Sequence, residues 1–122
     1  MKIDSEKTLQ KLKWTVGRKR QNLWCSPEIL RKFKAACEVE GLDFSPVLQD
    51  LLEQLLAFKK KPTFSIEEDR KRKVASFYCS SEIKDSFSSK CKEWAAEPAE
   101  ILEALMIEYK EQIEDKHGVE LK

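Results

Sequence analysis

Apolar residues recur along this chain with two periods, and the change from one to the other happens twice. In Arg20–Ser26 (RQNLWCS), Leu23 and Cys25 fall on one parity while Arg20, Asn22 and Trp24 fall on the other. In Val74–Ser80 (VASFYCS), Ala75, Phe77 and Cys79 alternate with Val74, Ser76 and Tyr78. Alternation over about six residues predicts a strand with one face buried.

After each stretch the spacing becomes helical. Ser26 is placed to cap a helix, with Pro27 at its first position and Glu28 where the helix dipole favours an acid. Ile29, Phe33, Ala36 and Cys37 then share a face, and Gly41 stops the helix. Ser45 is expected to cap the next helix, with Pro46 first, and Val47, Leu48, Leu51, Leu52, Leu55 and Phe58 form a broad apolar face. The second half follows the same plan. Ser80 caps; Ile83, Phe87, Cys91 and Trp94 line one face; a break falls near Ala96–Pro98. Ile101, Leu102, Leu105, Met106, Tyr109 and Ile113 follow, up to Gly118.

The two halves are copies. NLWCSPEILRKF from Asn22 and SFYCSSEIKDSF from Ser76 keep one register without a gap. Arg18/Arg72, Lys19/Lys73, Cys25/Cys79, Ser26/Ser80, Glu28/Glu82, Ile29/Ile83, Phe33/Phe87, Cys37/Cys91, Leu48/Leu102 and Leu51/Leu105 are identical at that offset, and Val47/Ile101 and Trp24/Tyr78 are similar. Two copies are too few for a solenoid. A strand–helix–helix unit of roughly 40 residues is too small to bury its apolar faces alone, whereas two can if the strands pair and the helices interlock. The expected organisation is an N-terminal extension (1–17), a first repeat (18–58), a charged linker (59–71), a second repeat (72–116) and a tail (117–122). Residues 5–14, with Leu9, Leu12 and Trp14, could add a helical turn or two.

Charge matters here by its distribution. The net charge of the 122-residue chain is +1, which favours no partner. Residues 1–20 carry seven Lys/Arg against two acids, residues 59–73 seven against three, and residues 93–122 three against nine. Basic charge thus precedes each copy and acid collects in the last helix, which predicts a polarised surface. No apolar run approaches the ~18–20 residues of a membrane span, and the start, MKIDSEKTLQKLKW, is too polar for a signal peptide. The expected location is the cytoplasm, with the cysteines reduced.

Cys25, Cys37, Cys79 and Cys91 include no CxxC pair, and His117 is the sole histidine. Their apolar parity favours core packing over a metal or redox site. With three glycines and no phosphate-cradling loop, neither an enzyme nor a cofactor is expected. Glu100, Glu103, Glu108, Glu111 and Glu114 read as the solvated face of the last helix.

Strand, helix, glycine and helix, with S-x-E-I after each strand (Ser26–Ile29 and Ser80–Ile83), resembles the ribbon-helix-helix family typified by Arc, MetJ and CopG. In layout it is similar to the tandem, TraY-type members. The resemblance spans roughly residues 18–58 and 72–115. It implies a mainly α fold in which two ribbon-helix-helix repeats form an intramolecular pseudo-dimer around a two-stranded antiparallel ribbon. That ribbon would enter the major groove of double-stranded DNA. If the ribbon is centred as in the family, Asn22 lies opposite Ser76, Arg20 opposite Tyr78 and Trp24 opposite Val74, and these six side chains face base edges. Arginine can pair bidentately with guanine and asparagine with adenine; serine is permissive, and valine or an aromatic edge packs on thymine methyls.

Arg18, Lys19, Arg70, Lys71, Arg72 and Lys73 would flank the ribbon and neutralise phosphates, and Ser45 would meet a phosphate at the start of a second helix. Because the two strands differ, a non-palindromic subsite is expected, with a second copy of the chain alongside on DNA. The implied role is a transcriptional regulator or a plasmid maintenance or transfer factor, cytoplasmic and nucleoid-associated. The rival expectation is a protein-interaction module that docks a protein partner on the aromatic ribbon face, Trp24 and Tyr78, without DNA binding.

Overall fold

The change of period in the sequence becomes an alternation of strand and helix pair. The structure, a computed structural model, describes residues 3, 18–62 and 71–121, with Arg18 described by its backbone alone. The helical turns expected within residues 5–14, the linker residues 63–70 and the phosphate contact expected of Arg70 lie outside the described residues. The elements are β1 (Arg18–Cys25), α1 (Pro27–Val39), α2 (Phe44–Leu56), β2 (Lys73–Ser80), α3 (Ser81–Glu93) and α4 (Pro98–His117). The described residues are thus mainly helical, with a two-stranded antiparallel sheet. No helix among the described residues is long and apolar enough to cross a membrane.

The helix starts follow the sequence in part. The Ser26 side chain accepts a hydrogen bond from the Ile29 N–H at 3.4 Å, ahead of Pro27. Ser80 holds the corresponding position before α3 but makes no side-chain cap bond. The expectation for Ser45 is corrected: α2 begins earlier, with Asp43 at the N-cap, so Ser45 lies inside the first turn.

Both first helices end in a Schellman turn. After α1, the Leu42 N–H bonds the Cys37 carbonyl and the Gly41 N–H bonds the Glu38 carbonyl, both at 2.9 Å. After α3, the Ala96 N–H bonds the Cys91 carbonyl at 2.8 Å and the Ala95 N–H bonds the Lys92 carbonyl at 3.0 Å. This turn needs a left-handed residue. Gly41 supplies it at φ 71°, and its counterpart Ala95 is forced to φ 50°. An L side chain there costs about 1–2 kcal/mol, partly offset by the lower unfolded-state entropy of alanine. Ala95→Gly is therefore expected to stabilise the chain by about 0.5–1 kcal/mol, and Gly41→Ala to destabilise it by a similar amount. Thermal or urea unfolding of both variants tests this; a destabilised Ala95→Gly would contradict it.

Packing crosses between the halves. α1 packs against α4 and α2 against α3, while α2 covers β2 and α4 covers β1. Each second helix thus lies under the strand of the other copy. Phe33 of α1 meets Tyr109 of α4 edge-on, with ring centroids 5.5 Å apart. Ile29, Phe33, Ala36, Cys37, Val47, Leu48, Leu51, Leu52 and Leu55 join Phe87, Cys91, Ile101, Leu102, Leu105, Met106, Tyr109 and Ile113 in one core. Ile3 also belongs to it, and the Gln112 amide donates to the Ile3 carbonyl at 2.8 Å.

All four cysteines are buried thiols outside any disulfide. Burial pushes Cys25 and Cys91 up to about 11 and Cys37 up to about 12, so these three are neutral thiols at physiological pH. His117 ends α4 rather than starting a tail, and its ring lies 3.1 Å from Glu40. Burial alone would raise the Glu40 carboxyl, but hydrogen bonds from Lys116 and His117 outweigh it and hold Glu40 below its usual value.

Candidate nucleic-acid interface

The pairing of β1 with β2 determines what the sheet shows to solvent. Asn22 lies opposite Ser76, Arg20 opposite Tyr78 and Trp24 opposite Val74. Asn22 therefore pairs with its own counterpart in the repeat. On the other parity Cys25, Phe77 and Cys79 are buried, and Leu23 and Ala75 pack on the core. The outer face carries Arg20, Asn22, Trp24, Val74, Ser76 and Tyr78, with only Ser76 half-covered.

Three of the five large hydrophobics exposed among the described residues lie on this face: Trp24 (59%), Val74 (54%) and Tyr78 (55%). Trp24 and Val74 face each other across the strands and Tyr78 lies beyond the Asn22–Ser76 pair, and exposed apolar groups gathered on one face make it a candidate interaction surface. Its polar part is also organised. Arg20 Nη2 donates to Ser76 Oγ at 3.1 Å, and Ser76 Oγ donates to Asn22 Oδ1 at 2.8 Å.

The edges of the ribbon are closed by the helices beneath it. Ser45 Oγ accepts the Tyr78 N–H at 3.0 Å and Gln49 Oε1 accepts the Ser80 N–H at 2.9 Å. On the other edge, Glu103 Oε2 accepts the Ser26 N–H at 2.7 Å. Gln49 and Glu103 are counterparts in the repeat and do the same work, whereas the counterpart of Ser45 is Ala99, which has no side-chain acceptor. The Tyr78 and Ser80 N–H groups point out of the ladder, so the outer-face pairs are the non-hydrogen-bonded ones. There facing side chains come closest, which lets Asn22 and Ser76 touch.

Two residues expected at phosphates are held elsewhere. Ser45 is buried and its hydroxyl serves the Tyr78 N–H. Arg72 grips Glu103 with two parallel bonds, Nε to Oε2 at 3.1 Å and Nη2 to Oε1 at 3.0 Å. The Glu103 side chain is 0% exposed and that of Arg72 is 26% exposed. Hydrogen bonding to Glu103 raises the Arg72 guanidinium above its ordinary value. Glu103 is thus no part of a solvated acidic face, which corrects the reading of that helix. Lys19, Lys71 and Lys73 are exposed, Lys19 at one end of the ribbon and the other two at the opposite end.

The second helices start in acidic surroundings. Asp43 caps α2, Glu97 caps α4, and Pro98 and Glu100 follow within the first turn of α4. No group of three or more His, Cys, Asp or Glu among the described residues is arranged to hold a metal ion. A shallow hollow of about 410 Å³ on α1, between Pro27 and Glu38, is lined from that one helix and open to solvent.

No family model, no curated protein and no solved structure matches the chain.

Proposed function

We propose that the chain is a single-chain ribbon-helix-helix pseudo-dimer that binds double-stranded DNA, with the outer face of β1 and β2 in the major groove. The observation that carries this reading is the pairing of Asn22 with Ser76, its own counterpart. The echo in the sequence then corresponds to an approximate two-fold axis through the centre of the ribbon. The exchanged packing of α2 on β2 and α4 on β1 supports the same axis. A two-stranded ribbon fits a groove about 12 Å wide, and Lys19, Lys71 and Lys73 lie where flanking phosphates would pass. Transcriptional control or plasmid maintenance is the role that fits such a binder.

A second reading has its own support. The carboxylates at the starts of α2 and α4 repel phosphate, and Trp24, Val74 and Tyr78 form a surface that a protein partner could cover. Salt separates the two. Fluorescence anisotropy of a labelled mixed-sequence duplex, titrated at low and physiological salt, is expected to show affinity falling steeply as salt rises. Each phosphate contacted adds about 0.9 to the log–log slope. No binding at low salt would leave the protein-docking reading in its place.

A further inference from the structure

We infer that Ser76 sets the base preference of the ribbon by fixing Asn22 as a hydrogen-bond donor, so that the centre of this face reads guanine rather than adenine; this rests on the DNA reading above. A guanidinium has donors only, so Ser76 Oγ must be the acceptor in its 3.1 Å contact with Arg20. The hydroxyl then has one proton to give, and the 2.8 Å contact with Asn22 Oδ1 takes it. The Asn22 carbonyl is thereby turned to the neighbouring strand and its NH2 to the opposite side.

The consequence lies in the groove. A free asparagine matches adenine by donating to N7 and accepting from the N6 amine. Ser76 takes one of the two lone pairs of the Asn22 carbonyl and holds that oxygen toward β2. The O and NH2 edge that adenine needs is thus turned across the strands, and Asn22 offers N–H groups, as Arg20 does beside it. The outer face carries no carboxylate among its six residues, so it holds no strong acceptor for an exocyclic amine. Guanine presents only acceptors in the major groove, O6 and N7, whereas adenine and cytosine present an amine. An N–H of Asn22 can still meet adenine N7, but the N6 amine would face a second donor and stay unpaired, and that mismatch discriminates. A serine on β2 thus controls what an asparagine on β1 can read. The two copies are unlike at this position, so the device belongs to the pair of strands and to neither alone.

The test is selection of sites from a randomised duplex library by the full chain as wild type, Asn22→Ala, Ser76→Ala and Ser76→Thr. Wild type is expected to enrich guanine at the position that Asn22→Ala relaxes. Ser76→Ala should weaken guanine over adenine there by about tenfold, and Ser76→Thr, which keeps the hydroxyl, should retain the preference. Circular dichroism and urea unfolding of both Ser76 variants should match wild type, a control that a merely unfolded variant would fail. Adenine enriched by wild type at that position, or a Ser76→Ala profile like that of wild type, would overturn the inference while leaving DNA binding intact. A wild-type chain that binds no duplex even at low salt would overturn both.

Discussion

Glu103→Ala is expected to destabilise the chain by about 3–5 kcal/mol, the usual loss when one partner of a buried ion pair is removed. For a chain of this size that lowers the unfolding midpoint by roughly 10–20 °C. The carboxylate is fully buried and accepts three hydrogen bonds, one from the Ser26 N–H and two from Arg72. Alanine would leave the Arg72 charge without its partner and orphan an N–H at the start of α1. Glu103→Gln installs the residue that already occupies the equivalent position, Gln49, which accepts the Ser80 N–H. Its one oxygen can keep the Ser26 N–H, while its NH2 cannot accept from Arg72 Nη2, so its cost should be smaller than that of alanine but not zero. Arg72→Met combined with Glu103→Gln removes both charges and is expected to recover most of the loss. Circular dichroism during urea unfolding measures all three, and a Glu103→Ala variant within about 1 kcal/mol of wild type would deny the pair its structural role. Since Arg72 is engaged inside the protein, the double variant should bind DNA with the wild-type salt slope. Lys73→Ala should lower that slope by about 0.9.

The second large effect is on recognition. Replacing Arg20 and Asn22 together by alanine is expected to lower affinity for a selected site by about 2–6 kcal/mol, the worth of two base contacts. Binding should fall to the level of mixed-sequence duplex. Both side chains are exposed, so unfolding curves should stay close to wild type. The salt slope should drop by no more than about one, because Arg20 supplies a single charge. Anisotropy titrations with the selected and the mixed duplex separate these outcomes. Wild-type affinity of the double variant for the selected site would mean that another surface reads the bases.

Much of this architecture is legible in the sequence because it rests on local patterning. Two-residue parity separates Leu23, Cys25, Phe77 and Cys79 from the outer six residues, and the helical spacing of Phe33 or Leu51 identifies the core faces. The register, with Asn22 opposite Ser76, is the one implied by the resemblance to the ribbon-helix-helix family and not by the patterning itself. The sequence hides contacts between residues far apart in the chain. Arg72 in a basic run and Glu103 in an acidic helix each look solvated, and only the fold brings them to 3.0 Å. One signal was available: Gln49 and Glu103 are counterparts that interrupt apolar runs, VLQDLL and ILEALM, where a solvated residue does not belong. The same comparison points at Ala95, which stands where the first copy needs Gly41. Serine before proline resembles a cap, but the edge of β2 competes for the Ser45 hydroxyl.

If the outer face of the ribbon meets DNA, a map of backbone amide shifts during titration with duplex DNA shows it most directly. Shifts concentrated at residues 19–24 and 74–78, with the exposed face of α1 silent, are the predicted result. Shifts centred on another surface, or none at low salt, would contradict it.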